Sequence, residues 1–137
     1  MKTFHVEIVT PTDVKYAGEL RQLVVMGVMG QMGILAHHAP LLAMLQPGVL
    51  SYTDATGKVV RLAAGAGFVQ VAENKAVCLV DFAESAGEVN VAAAKQQADE
   101  TQRKLQAPSV TAAERDTLRE ELKMAQARLE IAGQKTA

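Results

Sequence analysis

Thiol chemistry is nearly absent from this chain of 137 residues: its single cysteine, Cys78, lies in the run Val77-Cys78-Leu79-Val80. One cysteine excludes a disulfide framework, and a thiol among aliphatic neighbours reads as a buried strand residue rather than a nucleophile. An excess of one charge is missing too. A formal net charge of −1 supplies neither a basic surface for nucleic acid nor a pull towards an acidic membrane. No apolar run approaches the ~18 residues that span a bilayer. Met1 to Glu7 alternates polar and apolar residues, which is a strand pattern and not a signal peptide. The expectation is an intracellular protein, soluble or peripherally attached.

Catalytic signatures are equally scarce. Gly27, Gly30 and Gly33 recur at intervals of three, but no Gly-Lys-Ser/Thr follows and no helix opens there, so backbone N–H groups are not aimed at a phosphate. Gly65-Ala66-Gly67 likewise leads into a strand. Ser51, Ser85 and Ser109 have no nucleophile elbow around them. His37-His38 is the one candidate metal site. Neighbours on a strand point to opposite faces, and His5 is distant in sequence. The plainer reading packs one histidine under a loop and leaves the other at the surface. Catalytic residues, metal and cofactor are therefore all expected to be none.

What the chain has is two halves with different grammar. Up to Gly87 there are six Lys/Arg and seven Asp/Glu, together with nine of the ten glycines, whereas the shorter remainder carries eight charges of each sign. The first half alternates as short strands do. Phe4, Val6 and Ile8 alternate before the turn Thr10-Pro11-Thr12-Asp13, and Leu20 to Met26 forms a second strand. Leu50–Thr53 and Lys58–Leu62 flank the hairpin turn Asp54-Ala55-Thr56-Gly57; Phe68–Val71 and Ala76–Asp81 flank Glu73-Asn74-Lys75. Strands at this spacing predict an antiparallel β-sandwich or flattened barrel over residues 1–87.

From residue 88 to 137 the period becomes helical. Asn90 can cap a first helix with Val91, Ala94, Ala98, Thr101 and Leu105 facing inward, broken at Gln106-Ala107-Pro108-Ser109. Thr111-Ala112-Ala113-Glu114 has the capping-box spacing and opens a second helix with the stripe Leu118, Leu122, Ala125, Leu129 and Ala132. The fold class is α+β, a β-sandwich followed by an antiparallel helical hairpin. An alanine-rich seam buries little apolar area at roughly 25 cal/mol per Å², so the hairpin is expected to be able to open or leave its docking site. Lys123, Arg128 and Lys135 are its cations towards the chain end.

The most informative run is Gly27 to Gly48, GVMGQMGILAHHAPLLAMLQPG. Its glycines mark positions of positive φ or close backbone approach, and Pro40 cannot donate to a ladder. It reads as a tightly turned apolar surface loop between strands, so poor in charge that a partner covers it. Met26, Met29, Met32 and Met44 are core filler or an adaptable protein contact.

Gly30-x-x-Gly33-Ile34-Leu35, then His38-Ala39-Pro40-Leu41 and Gly48, supported by Gly67-Phe68-Val69 and by Val77–Asp81 before Ala83-Glu84, resembles the epsilon subunit of F-type ATP synthases across essentially the whole chain. The resemblance implies a non-catalytic central-stalk subunit that turns with gamma on the ring of c subunits, peripheral to the cytoplasmic face of the bacterial inner membrane. It implies that Gly30, Gln31, Met32 and Gly33 face the c ring and that His38, Ala39, Pro40 and Leu41 contact gamma. Many members carry a carboxylate where Gln31 stands and a glycine where His37 stands. The helical hairpin is implied to reach the alpha/beta catalytic head and restrain hydrolysis through basic residues of the second helix; Lys123 and Arg128 are the candidates, with Met124 where some members have arginine. The family's ATP-binding motif, Ile/Leu-Asp-x-x-Arg-Ala, aligns with Val89-Asn90-Val91-Ala92-Ala93-Ala94. Its carboxylate is replaced at Asn90 and its arginine at Ala93, which removes a charge-assisted contact to phosphate.

Two other classes stand beside this reading: a free-standing β-sandwich ligand-binding module with a helical adapter, and a small metal-dependent hydrolase using the histidine pair. Isothermal titration of the isolated subunit with ATP is expected to show weak or no binding, and a micromolar dissociation constant would contradict that expectation.

Overall fold

The computed structural model describes residues 2–133, so Lys135 lies outside the described residues. Nine strands come first: β1 (Phe4–Val9), β2 (Val14–Gly27), β3 (Gly30–Leu35), β4 (Leu41–Leu45), β5 (Gly48–Asp54), β6 (Val59–Ala64), β7 (Gly67–Ala72), β8 (Lys75–Val80) and β9 (Ala83–Glu84). Two helices follow, α1 (Val91–Leu105) and α2 (Ala112–Ile131), after a 3₁₀ turn at Ala86–Glu88.

The strands pair in the order β1-β8-β7-β4-β2-β5-β6-β9, with β3 on β2 and a further β1–β2 pairing that closes a ring through β8, β7 and β4. The result is a flattened barrel with two layers. β2 enters both: its first half pairs with β1 (Phe4↔Leu20 to Val9↔Val14), its second half with β3 on one side and β5 on the other. A register shift between Leu20 and Gln22 against β5 marks a bulge at Arg21, the device by which a long strand bends between layers. One pairing departs from the antiparallel expectation. β1 and β8 run parallel (His5↔Lys75 to Val9↔Leu79), because a long excursion through six other strands separates them.

Alternation places Phe4, Val6 and Ile8 of β1 in the core against Leu20, Leu23 and Val25 of β2, Ile34, Val69 and Cys78, all essentially without solvent contact. Burial pushes the Cys78 thiol up to about 12, so it packs as a small hydrophobe. The hairpin turns form where the sequence places them. Asp54 Oδ1 accepts from the N–H groups of Thr56 (2.9 Å) and Lys58 (3.0 Å), and Glu73-Asn74 adopt φ of 51° and 59°, the twist that suits a two-residue connection.

The Gly27–Gly48 run is not a loop. Its only connections are the two-residue turn Val28-Met29, the turn at Ala36–Pro40 and Gln46-Pro47; the rest is β3 and β4. Apolar residues there alternate in burial as a half-buried strand requires, a period the glycines obscured. His37 and His38 consequently sit in a turn and not on a strand, His37 exposed and His38 half-buried. The second strand also begins at Val14, six residues earlier than its apolar stretch indicated.

Both helices start at the expected caps: Asn90 Oδ1 accepts from the Ala93 N–H (3.0 Å) and Thr111 Oγ1 from the Glu114 N–H (3.1 Å). Both inward stripes face one another, from Ala94 and Thr101 to Ala125 and Leu129. What periodicity did not reveal is a second buried face on α2. Ala127 is 4% exposed because α2 packs on β5 and β6 as well as on α1, whereas α1 reaches the sandwich chiefly through α2.

Gly67 is the most tightly enclosed of the glycines. A Cβ there would lie 1.8 Å from the Leu79 carbonyl oxygen, a backbone atom that cannot step aside. Gly67→Ala is expected to destabilise the fold by about 3 kcal/mol or more, at the upper end of overpacking costs; urea unfolding of the isolated subunit measures it.

Candidate functional site

Three surfaces have features that folding alone does not require. The first is the outer face of the β1-β8-β7-β4 layer. Cross-strand register sets Met44 beside Phe68, Phe68 beside Leu79, and Leu79 beside Val9, all pointing away from the core. The adjacent row is Leu42, Gln70, Val77 and Glu7. Leu42 is 70% and Met44 60% exposed, beyond what a solvated strand of a monomer normally shows as a contiguous row. A cavity of about 280 Å³ between Thr10-Pro11 and Phe68-Leu79 ends the apolar row. At the opposite end the face becomes ionic: Glu7 lies 3.3 Å from Lys75 Nζ and 3.2 Å from His5 Nε2, and hydrogen bonding to Lys75 and His5 holds its carboxyl below the usual range.

His38, Ala39, Pro40 and Leu41 lead into this face. The turn before them is fixed by Asn74, whose Oδ1 accepts from the His37 N–H (2.7 Å) while its Nδ2 donates to the Thr3 carbonyl (3.1 Å). His37 takes φ of 63°, the left-handed conformation that glycine adopts most easily, so the turn keeps its shape at the cost of some backbone strain. His38 Nδ1 donates to the Ala39 carbonyl at 2.7 Å. Leu41 turns inward and packs on the core, while Ala39 and Pro40 are exposed. Among the described residues no three His, Cys, Asp or Glu side chains gather to hold a metal ion.

The second surface is the tip of the β2–β3 hairpin. Gly27 and Gly30 pair across it, and Val28-Met29 form its point; Met29 is 96% exposed. Gly30 has φ of 129°, which favours glycine, and a Cβ at Gly27 would sit tightly, 3.0 Å from the Gly30 carbonyl oxygen. Gln46 braces the tip by donating from Nε2 to the Gly27 carbonyl at 2.8 Å. Gln31, exposed, pairs with Met26 one step behind the point; Met32 turns towards the core and Gly33 pairs with Val24. Of the residues at the very point, Met29 is one of the four methionines that the sequence offers as core filler or a protein contact, and Val28 carries no sequence expectation. Exposed apolar residues next to a paired glycine turn were the available signal.

The third surface joins α2 to the sandwich, and polar side chains dominate it. Arg128 Nε donates to Glu84 Oε1 at 2.5 Å, its guanidinium lies 4.5 Å from the Phe82 ring centroid, and its other nitrogen reaches Gln97 Oε1 of α1 at 3.4 Å. Lys123 Nζ donates to Gln46 Oε1 at 2.6 Å, and Arg61 of β6 pairs with Glu130. A cleft of about 420 Å³ bordered by Gln31, Gln46, Arg61, Lys123, Gln126 and Glu130 remains between these contacts. The connection into α1 is tied down as well. Glu88 accepts from the Ser85 N–H (2.9 Å) and from Lys15 Nζ (3.1 Å), which lowers its carboxyl pKa and raises that of Lys15. Asn90 is used as a helix cap and Ala93 is exposed.

Comparison with known proteins identifies the family and the fold. Residues 3–86 match the family described as ATP synthase, Delta/Epsilon chain, beta-sandwich domain. The ATP synthase epsilon chain of Syntrophomonas wolfei is 37% identical over 107 residues, 78% of each chain. That of Sulfurovum is 35% identical over 115 residues, 82% of this chain and 90% of its own. A chain in the cryo-EM structure of the Euglena gracilis mitochondrial ATP synthase, OSCP/F1/c-ring, superposes with a TM-score of 0.80 at 20% identity, covering 95% of this chain and 81% of that one. A chain of the Tetrahymena thermophila mitochondrial ATP synthase central stalk and c ring gives 0.67 at 15% identity over 96% and 97%. These two likenesses establish a shared fold.

Proposed function

This chain belongs to the ATP synthase epsilon-chain family, a class of non-catalytic subunits, and we propose that it is a central-stalk rotor subunit. It couples rotation of gamma and the c ring to ATP synthesis at the cytoplasmic face of the bacterial inner membrane. The observation that carries this reading is the uncovered apolar row Met44, Phe68, Leu79 and Val9, with Leu42 beside it. It follows directly on His38–Leu41, and an exposed apolar row on a sheet face suits a protein partner. Gamma is its occupant, and the ionic end at His5, Glu7 and Lys75 sets register at the rim. The β2–β3 tip, with Met29 foremost and Gln31 behind it, sits on the c ring. Gln31 offers an amide there, so the contact is a neutral hydrogen bond and tolerates salt better than a charge pair does. No helix among the described residues is long and apolar enough to cross a membrane. On this reading the chain is held at the membrane through its partners.

The helical hairpin restrains ATP hydrolysis when it leaves the sandwich and reaches the alpha/beta head, with Lys123 and Arg128 as its cations. The alanine-rich seam and the polar hold on α2 support such a motion, because few apolar contacts have to be broken.

Leu42→Asp and Met44→Asp, each at an exposed position, are expected to leave the fold intact and weaken binding to gamma tenfold or more, about 1.4 kcal/mol or above for an anchor buried at the centre of an interface. Surface plasmon resonance on the purified gamma subunit reads this, and unchanged affinity in both variants would remove gamma from the apolar face. Truncation after Gly87 is expected to raise ATPase activity of the assembled complex with coupling largely retained; unchanged hydrolysis would show that the hairpin does not inhibit.

A further inference from the structure

Arg128 touches three separate parts of the chain: Glu84 of β9, Phe82 just before it, and Gln97 of α1. Its partner Glu84 is 27% exposed and Arg128 23%, so the pair is partly withdrawn from solvent and screened less than a surface ion pair. Glu84 is itself fixed, since β9 is hydrogen-bonded to β6 through Ala63↔Glu84 and Ala64↔Ala83. The second cation of α2 that faces the sandwich, Lys123, is engaged by Gln46, which is anchored in turn to the Gly27 carbonyl. The remaining link, Arg61–Glu130, has the reverse polarity, with the cation on the sandwich.

We propose that Glu84 is the latch of this subunit: it binds Arg128 in competition with the catalytic head and thereby sets how often the hairpin is free. This rests on the reading that the released hairpin restrains hydrolysis through Arg128. One guanidinium cannot serve both partners, so docking and inhibition exclude one another through a single side chain. The aromatic face of Phe82 adds a cation–π contact to the same guanidinium. Gln97 transmits the state of Arg128 to α1, which has little direct hold on the sandwich. Loss of the Glu84 carboxylate therefore loosens both helices and not α2 alone.

The competition has a signature that a merely structural contact lacks. Removing Arg128 weakens docking and removes inhibition together, whereas removing the charge of Glu84 weakens docking alone. The two substitutions break the same ion pair yet move hydrolysis in opposite directions.

The test uses the full-length chain with nitroxide labels at Val59→Cys on β6 and Glu120→Cys on α2, both exposed; buried Cys78 does not compete for label. Pulsed electron paramagnetic resonance then reads the docked and released distance populations. Glu84→Gln is expected to raise the released-to-docked ratio about fivefold or more, the scale of a charge-assisted hydrogen bond. Glu84→Arg combined with Arg128→Glu is expected to return the ratio towards wild type. In the holoenzyme, Glu84→Gln should deepen inhibition of hydrolysis and Arg128→Gln should relieve it. An unchanged distance distribution in Glu84→Gln, with thermal unfolding also unchanged, would overturn the latch. A shifted distribution without any change in hydrolysis, in this variant and in the truncation after Gly87, would uphold Glu84 as the docking contact and overturn the inhibitory reading, and the competition with it.

Discussion

Strand β2 is the constraint on which the other elements depend. Its 14 residues are hydrogen-bonded to β1 along the first half, to β3 and β5 along the second, and to β4 at Gly27↔Leu45. A strand shared in this way closes the barrel and leaves no edge along most of its length. The bulge at Arg21 lets it change layers, and Leu20, Leu23 and Val25 bring its apolar side chains into the common core. Its far end is the turn Val28-Met29, which projects beyond the barrel because β3 returns in register from Gly30. The surface proposed to face the c ring is thus the continuation of this shared strand.

Sandwich and hairpin are held by different physics. Aliphatic side chains with no solvent contact build the barrel, a hold that is insensitive to ionic strength. The α2 face on the sandwich buries Ala127, which contributes little area, and relies on Arg128–Glu84, Lys123–Gln46 and Arg61–Glu130. Charged contacts at partial exposure are each worth on the order of a kilocalorie per mole and weaken with salt. A rigid platform with a weakly latched appendage follows from these two kinds of contact. It is the combination that the proposed regulatory role requires, since on that proposal the hairpin leaves without disturbing the platform.

Most of this was legible in the sequence for identifiable reasons. Hairpin turns at Asp54–Gly57 and Glu73-Asn74, the caps Asn90 and Thr111, and both helical stripes are local signals, and each stands where its residues required. Membership in the family rests on the motif from Gly30 to Gly48, which the comparisons support over most of the chain. The misreading of that same motif as a loop came from counting glycines rather than the alternation between them. Nothing local announces that β1 and β8 run parallel, because their neighbourhood is decided by strands seventy residues apart in the chain. The second buried face of α2 was hidden for a related reason. Ala127 is too small to add weight to a helical period, yet small size is what lets the helix approach β5 and β6. Glu84 read only as part of the family motif; its partner Arg128 lies 44 residues away.

The central claim is that apolar packing holds the sandwich and polar side chains hold the hairpin to it. Amide hydrogen exchange of the isolated subunit, followed at low and at high sodium chloride, separates the two most directly. The account predicts that protection of α2 amides between Lys123 and Ile131 falls as salt rises, while amides of β1, β2 and β8 keep their protection. Protection of α2 that is indifferent to salt would show that apolar contacts hold the hairpin and would contradict the account.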